Sequence, residues 1–299
     1  MQVNTPIFNL NTSAKIPGIG FGTWQSTDQE AYDAVISAIK AGYRHIDTAH
    51  VYGNESIIGK AIKDSGIPRN ELFVTTKLWA TDCLNPKEAL KGSLERLGLD
   101  YVDLYLMHWP VAMNPNGNNK MFPTKDDGSR DIIDRTYIDT YKDMEKLLNT
   151  NMTKAIGISN FTINKLQNLL NEITNIPAVL QIELHPYLPQ QELVDFCSSK
   201  GIIVEGYSPL GSTGAPILKE QILVKLADKY NVSPANICIS WAIWRKTIPL
   251  PKSTNPSRIA SNLKYINLSD EDGKSISELY KTTGIHRYVS PQWGVQIFD

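Results

Sequence analysis

Four side chains with complementary acid–base properties lie at or just beyond the ends of apolar segments. Asp47 closes the segment YRHID and Tyr52 follows it, while Lys77 and His108 lie near the ends of LFVTTKL and VDLYLMHW. A phenol has a pKa of about 10, but a neighbouring ammonium group favours the phenolate and lowers that pKa. A carboxylate would balance the ammonium charge if both were buried, and an imidazole can orient a substrate oxygen. Together such groups can protonate a carbonyl oxygen.

This set lacks a side chain that normally attacks carbon, apart from Lys77 itself. A hydride from a nicotinamide cofactor would meet that need while the phenol of Tyr52 protonates the oxygen. A lyase that forms a Schiff base on Lys77 is an alternative chemistry, because an amine can also attack a carbonyl carbon.

Eight apolar, β-branched segments must position these groups, and helical patterns separate them. The segments are IPGIGFG, YRHID, LFVTTKL, VDLYLMHW, KAIGIS, AVLQIEL, IIVEGYS and IPLPKS. Strands that are apolar on both faces and alternate with helices indicate a parallel sheet. Eight such units predict an α/β fold, a closed (β/α)8 TIM barrel, with a doubly wound open sheet as the competing layout. In a barrel the active site forms at the carboxyl ends of the strands, where the four groups lie.

Shorter signals predict the remaining parts of the fold. The segment FNLNTSAKIP indicates a short N-terminal β-hairpin that covers the barrel floor, and the segment GIHRYVSPQWGVQIF, residues 284–298, is expected to form an extended C-terminal tail. Thr27 and Glu30 have the spacing of a capping box, and Asn85 with Pro86 indicates another helix start. No linker or change in composition divides the chain, so residues 1–299 are predicted to form a single barrel domain.

Composition argues against several classes of protein. The 299 residues carry a net charge of −1, which predicts no nucleic-acid or membrane partner, and no apolar run approaches the ~20 residues of a bilayer span. The N-terminus lacks the features of a secretory signal, and three widely spaced cysteines fit a reducing compartment, so a cytoplasmic location is expected. Glu183 and His185 have no evident third ligand, so no metal site is predicted.

Eight segments resemble motifs of the aldo-keto reductase superfamily in both order and spacing. They are GFGTW, GYRHIDTAHVYGNE, TTKLW, LYLMHWP, AIGISNF, QIELHPY, GYSPLG and IPLPKS, and the resemblance extends from Ile16 to about Leu263. It implies that Tyr52 is the general acid, that Lys77 and Asp47 tune its acidity, and that His108 orients the carbonyl group.

The same resemblance implies a bound NADPH with its nicotinamide beneath Tyr207. The positive charges of Lys252 and Arg258 suit a 2′-phosphate, which favours NADP(H) and leaves NADH as the weaker alternative. Ser261 stands where many members of the superfamily carry a glutamate near the adenine. The implied cofactor-binding residues are Gly22, Thr23, Trp24, Ser159, Asn160, Gln181, Tyr207, Ser208, Leu210, Ser212, Lys252, Ser253, Arg258 and Asn262.

Aromatic residues that follow the barrel strands predict an apolar substrate pocket. The predicted partner is a small aldehyde or aldose, which the enzyme reduces to an alcohol with NADPH. The sequence does not distinguish a monomer from a dimer. The predicted pocket residues are Trp24, Trp79, His108, Trp109, Phe122 and Trp293.

Besides the lyase on Lys77, two further alternatives to a broad aldehyde and aldose reductase remain. The tail resembles those of xylose reductases and aldose-6-phosphate reductases, although Val51 stands where xylose reductases commonly carry an acidic residue and Val289 where they carry an asparagine. The potassium-channel β-subunits resemble this superfamily too, so a non-catalytic NADP-binding regulatory barrel is the alternative of another class. The intact set of four polar groups argues against that second alternative.

Overall fold

A short antiparallel hairpin precedes the barrel in the computed structural model, which describes residues 5–298. Strand β1 (Ile7–Asn9) pairs with strand β2 (Lys15–Pro17), and Phe8 lies opposite Ile16. Ile16 is fully buried and belongs to an apolar cluster that also contains Leu104 and Ile248. The hairpin expected from FNLNTSAKIP is therefore confirmed.

Eight strands form one sheet in which each strand pairs in parallel with the next along the chain. The register sets Asp47 level with Thr75, and Lys77 level with Leu106. This order is that of the predicted (β/α)8 TIM barrel. The strands are β3 (Phe21–Gly22), β4 (His45–Asp47), β5 (Phe73–Leu78), β6 (Leu104–Met107), β7 (Ile156–Ser159), β8 (Val179–Glu183), β9 (Ile203–Tyr207) and β10 (Ile248–Leu250).

The barrel closes along a seam between its first and last strands. The backbone N–H of Gly20 donates to the carbonyl of Pro249 at 3.0 Å, and that of Gly22 donates to Pro251 at 3.1 Å. A β-carbon on Gly20 would lie 2.4 Å from Leu250 Cδ2, so a larger residue does not fit there. The first barrel strand is shorter than the segment IPGIGFG predicts, because the start of that segment belongs to the hairpin.

Helices surround the barrel and connect its strands. Helix α3 begins at the predicted Pro86, after Asn85. Thr27 precedes helix α1, but its side chain makes no capping hydrogen bond, so the predicted capping box is wrong. The helices are α1 (Asp28–Ala41), α2 (Glu55–Asp64), α3 (Pro86–Leu97), α4 (Tyr137–Glu145), α5 (Ile163–Leu170), α6 (Gln191–Ser199), α7 (Gln221–Tyr230), α8 (Pro234–Trp244), α9 (Pro256–Asn262), α10 (Asp270–Ser277) and α11 (Tyr280–Thr283).

The chain after helix α11 returns over the barrel mouth without regular secondary structure. Trp293 in this segment packs edge-on against Trp79 and Trp109, with ring centroids 6.0 and 5.2 Å apart. The predicted C-terminal tail therefore forms part of the mouth. Among residues 5–298, no helix is long and apolar enough to cross a membrane.

Candidate active site

A cleft of about 1260 Å³ opens at the carboxyl ends of the barrel strands. Every residue predicted for the site lines this cleft except Lys77 and Ser159. Lys77 is buried behind the floor of the cleft, and Ser159 lies behind Asn160, whose Nδ2 donates to Ser159 Oγ at 3.1 Å. The fold thus gathers residues from most of the chain length at one opening.

The phenol, amine and carboxylate from neighbouring strands contact one another at the cleft floor. Lys77 Nζ, on β5, donates to Asp47 Oδ1 at 2.7 Å and to the carbonyl of Thr48 at 2.8 Å. The same nitrogen donates to the hydroxyl of Tyr52 at 3.3 Å. Tyr52 lies in a short 3₁₀ turn after β4, which Gly53 ends with a φ of 71°. A short connection from the strand end therefore aims the phenol back at Lys77.

For Lys77 and for Tyr52, burial and neighbouring charges shift the pKa in opposite directions. Burial lowers the pKa of Lys77, but the charge of Asp47 and the hydrogen bonds around the ammonium outweigh it and raise that pKa. Burial raises the pKa of Tyr52 above 10, and Lys77 opposes this only in part. The ammonium is therefore charged and the phenol protonated at neutral pH. Lys77 does lower the pKa of Tyr52, as the sequence predicts, but desolvation of the phenol raises this pKa by more.

His108 faces Tyr52 from the end of the next strand, β6. Its ring meets the ring of Tyr52 edge-on with centroids 5.7 Å apart, and that of Trp79 at 5.4 Å. Burial and the charge of Lys77 hold the pKa of His108 well below its usual value. The imidazole is therefore neutral, and it can donate a hydrogen bond to a substrate oxygen without carrying charge into the pocket.

Asn160 and Tyr207 form the wall beside this floor. Asn160 Nδ2 donates to the carbonyl of His108 at 2.9 Å, and its Oδ1 accepts from the hydroxyl of Tyr207 at 2.7 Å. Asn160 has a φ of 63° and Ser208 a φ of 51°, both in the left-handed region that non-glycine residues seldom adopt. Two strands thus leave the barrel through sharp turns that direct polar groups into the cleft, a pattern that accompanies functional sites.

The opposite end of the cleft is basic. Lys252, Ser253 and Arg258 line it, and Lys252 Nζ donates to the carbonyl of Gln25 at 3.3 Å across the seam. Asn255 caps helix α9 by accepting from the backbone N–H of Arg258 at 3.1 Å. Two cations and a hydroxyl thus stand where an anionic group of a long ligand can bind.

Aromatic side chains surround the mouth on the tail side. Trp79 packs against Phe122 at 5.2 Å and against Trp293, and its Nε1 donates to the carbonyl of Met121 at 2.6 Å. Trp24 and Phe122 are exposed at the rim, 44% and 38%, whereas Trp109 is buried. The six residues predicted for the substrate pocket therefore lie around one apolar opening.

A contact that was not predicted from the sequence holds the tail. The carboxylate of Glu183, at the end of β8, accepts from the backbone N–H groups of Tyr288 and Val289 at 2.7 and 2.8 Å. It also forms a 2.8 Å hydrogen bond with His185 Nε2. In the described residues 5–298, no group of three side chains suits a metal ion. The available signal was an acid at the end of the predicted strand AVLQIEL, where Glu183 was considered only as a possible metal ligand.

A second missed residue lies beneath the floor. Glu205 is fully buried in β9, and Gln181 Nε2 donates both to Glu205 Oε2 at 2.9 Å and to Asp47 Oδ2 at 2.8 Å. The signal was an acidic residue inside the otherwise apolar segment IIVEGYS. Gln181 thus reaches the carboxylate that pairs with Lys77, in addition to lining the cleft.

Comparison with known proteins gives consistent results over nearly the whole chain. The Aldo/keto reductase family profile matches residues 18–281. A glycerol 2-dehydrogenase (NADP(+)) of Saccharomyces cerevisiae is 54% identical, covering 97% of this chain and 96% of that protein. An aldehyde reductase of the same yeast is 53% identical over 98% and 97% of the two chains. The solved aldose reductase of Schistosoma japonicum superposes with a TM-score of 0.88 at 35% identity, over 95% of this chain and 94% of that one.

Proposed function

Because this chain belongs to the aldo/keto reductase family, we propose that it reduces aldehydes and aldoses to alcohols with NADPH. One observation carries the proposal: the hydroxyl of Tyr52 is hydrogen-bonded to the buried ammonium of Lys77 at the floor of a long cleft. A panel of aldehydes and aldoses, assayed with NADPH and with NADH by loss of cofactor absorbance, tests the activity. A protein that oxidises neither cofactor with any of them contradicts it.

The residues of the cleft fit a dinucleotide along its length. Asn160 and Tyr207 present polar groups beside the catalytic floor, and Lys252 and Arg258 lie at the far end. Gly22 also lines the cleft, and a β-carbon there would make a tight 3.3 Å contact with the carbonyl oxygen of Leu250. These residues would hold NADPH, and the bound cofactor would supply a hydride to the carbonyl carbon.

The four residues of the floor then act on the carbonyl oxygen. Neutral His108 donates a hydrogen bond that orients this oxygen toward Tyr52, and Tyr52 transfers its proton to it. The charge of Lys77, 3.3 Å from the hydroxyl, stabilises the phenolate that remains. Asp47 holds the ammonium in place and balances its charge. Proton transfer and orientation are thus the contribution of these side chains.

The cofactor preference is testable at Arg258. Arg258→Ala should raise the Kd for NADPH by roughly 10- to 100-fold, because a charge-assisted hydrogen bond to a phosphate contributes about 1.5–3 kcal/mol. The Kd for NADH should change far less. Fluorescence titration with each cofactor measures both constants. Lys264→Ala, which removes an exposed cation just beyond helix α9, is the matched control and should leave both constants unchanged. Equal losses for the two cofactors would refute the 2′-phosphate role.

The Schiff-base alternative is disfavoured by the surroundings of Lys77. Its ammonium has no exposed surface and donates to three oxygens, and the neighbouring charge raises its pKa. A nucleophilic amine needs a free lone pair and a depressed pKa. Borohydride treatment with substrate is expected to leave Lys77 unmodified, and a trapped adduct detected by mass spectrometry would revive the lyase.

We infer an apolar aldehyde pocket and not a pentose-specific one. Val51 and Val289 pack with Trp79, Trp109 and Trp293 and give the opening an apolar surface. The residue directly before the catalytic phenol is Val51, so no acidic side chain is present at that position to bind a sugar hydroxyl.

The free, buried thiols of Cys83, Cys197 and Cys238 fit the cytoplasmic location inferred from the sequence, which fractionation of cells expressing the protein would test.

Trp293 provides a test of this pocket. Trp293→Ala should raise KM for an aromatic aldehyde about tenfold or more, since removing a buried aromatic contact costs roughly 1.5–3 kcal/mol of binding. The kcat for a two-carbon aldehyde should change little, because Trp293 packs against the rings of Trp79 and Trp109 at the mouth. Steady-state assays with both substrates measure the effect. Trp293→Phe should recover most of the KM, and unchanged constants in the alanine variant would remove Trp293 from the pocket.

A further inference from the structure

Glu205 occupies a position that the proposed mechanism does not use. It lies two residues before Tyr207 on β9, on the same side of the strand, and it has no exposed surface. Its Oε2 accepts from Gln181 Nε2 at 2.9 Å, and the second hydrogen of the same amide goes to Asp47 Oδ2 at 2.8 Å. One neutral amide therefore joins two carboxyl groups beneath the catalytic floor.

The charges around Glu205 would not balance the negative charge of an ionised Glu205 in addition to that of Asp47. Lys77 from β5 gives its three hydrogen bonds to Asp47, to the Thr48 carbonyl and to Tyr52, and none to Glu205. His45 from β4 has its Nε2 3.6 Å from Glu205 Oε1, beyond hydrogen-bond distance.

The remaining neighbours do not supply a cation either. Burial lowers the pKa of His45 to about 4, so its imidazole is neutral at physiological pH. Strand β8 contributes the uncharged Gln181 and, two residues on, the acid Glu183, whose carboxylate is hydrogen-bonded to His185 and to the tail and adds no positive charge. Strand β10 (Ile248–Leu250) carries no titratable side chain. An ionised Glu205 would thus place two carboxylates and one ammonium in a buried layer, which is strongly unfavourable.

We propose that Glu205 is a positioning residue that acts in its protonated, neutral form, fixing the amide of Gln181 so that Asp47 stays turned toward Lys77. In this form Glu205 Oε2 accepts from the amide and Oε1 carries the proton; Oε1 has no hydrogen-bond partner among the described residues, and His45 Nε2, which is paired with Thr75 Oγ1 at 3.2 Å, lies 3.6 Å from it. Burial and the charge of Asp47 raise the pKa of Glu205 to about 8, although Gln181 and Lys77 oppose them. The proton is therefore retained at neutral pH.

Loss of this proton to solvent should weaken the catalytic acid. Above pH 8 Glu205 becomes negative, and a second anion beside Asp47 raises the pKa of the Tyr52 phenol. A weaker acid protonates the carbonyl oxygen more slowly, so reduction should decline through this range. This consequence rests on the proposed reductase function, whereas the protonation state of Glu205 does not.

Infrared difference spectroscopy tests the protonation state in the protein alone, without cofactor or substrate. The wild-type protein should show the carbonyl band of a buried, protonated carboxyl group that disappears as pH rises through about 8. Glu205→Gln should lack this band. Gln181→Leu removes a hydrogen bond that favours the ionised form, so the band should persist to higher pH in that variant. An identical spectrum in wild type and Glu205→Gln would overturn the proposal, as would a band that Gln181→Leu does not shift.

The pH dependence of kcat/KM tests the consequence for the reaction. Wild-type activity with an aldehyde and saturating NADPH should show an ionisation near pH 8 that Glu205→Gln lacks, since the amide cannot ionise. Glu192→Gln, an exposed position on helix α6, is the matched control and should keep the wild-type profile. An unchanged profile in Glu205→Gln would overturn the link to catalysis. A wild-type protein without any reductase activity would refute the proposed function, and the infrared result would still decide the state of Glu205.

Discussion

Replacement of Tyr52 by phenylalanine is expected to lower kcat for aldehyde reduction by about 10²- to 10⁴-fold, the usual contribution of a positioned general acid. The variant loses the phenol that Lys77 contacts, while the ring that packs against His108 remains. NADPH should bind with nearly unchanged affinity because the cleft keeps its shape. Single-turnover measurement of cofactor oxidation, together with a fluorescence titration of NADPH, separates the loss of chemistry from a loss of binding.

Tyr43 offers a matched control for this experiment within the same segment of the chain. It is also a buried tyrosine, but its hydroxyl has no hydrogen-bond partner in the described structure. Tyr43→Phe removes an unsatisfied hydroxyl, so it should preserve activity and leave stability equal or slightly higher. Near wild-type turnover in Tyr52→Phe, or equal losses in the two variants, would show that Tyr52 is not the acid.

Replacement of Lys77 by methionine should cost both activity and stability. The ammonium and Asp47 form a buried ion pair at 2.7 Å, and removing one partner of such a pair typically costs about 3–5 kcal/mol because an uncompensated charge remains. Aldehyde reduction should fall by about two orders of magnitude or more, since no cation is left to stabilise the phenolate of Tyr52. Denaturant unfolding followed by circular dichroism gives the free energy of unfolding, and stopped-flow absorbance gives the rate.

The double variant Lys77→Met with Asp47→Asn separates these two effects. Neutralising Asp47 removes the stranded charge, so the free energy of unfolding should recover in part while reduction stays lost. Recovery of activity along with stability would indicate that Lys77 serves the fold and not the reaction. Full stability in the single variant would show that the pair contributes less than its burial predicts.

The sequence allowed prediction of those features that depend on local pattern. The segment LFVTTKL is apolar and β-branched up to Lys77. This pattern predicts both the strand and the position of Lys77 near its carboxyl end. His108 and Asp47 follow by the same reasoning. Once eight strands are known to be parallel, the barrel brings these ends together without further information.

Features that depend on register between distant strands were not predictable in this way. The pairing of Gln181 with Glu205 arises because β8 and β9 align these two residues, and no local signal fixes that alignment. The clamp of Glu183 on Tyr288 and Val289 joins residues more than one hundred positions apart. Local backbone geometry also explains why the capping box predicted at Thr27 does not form. Asp28 begins helix α1 with a φ of 41°, so the first turn lacks the regular geometry that a capping box at Thr27 requires.

The seam between the first and last barrel strands links the cleft to the order in which the chain folds. Gly20 bonds to Pro249 there, and Lys252 reaches the carbonyl of Gln25, 227 positions away. Contacts between such distant residues form slowly, because closing the intervening loop costs entropy before they can form. The basic end of the cleft spans this seam, so under the proposed binding mode a chain that has not yet closed lacks a complete site for NADPH. NADPH bound in this way would favour the closed barrel over the open chain and, by mass action, would stabilise the folded state.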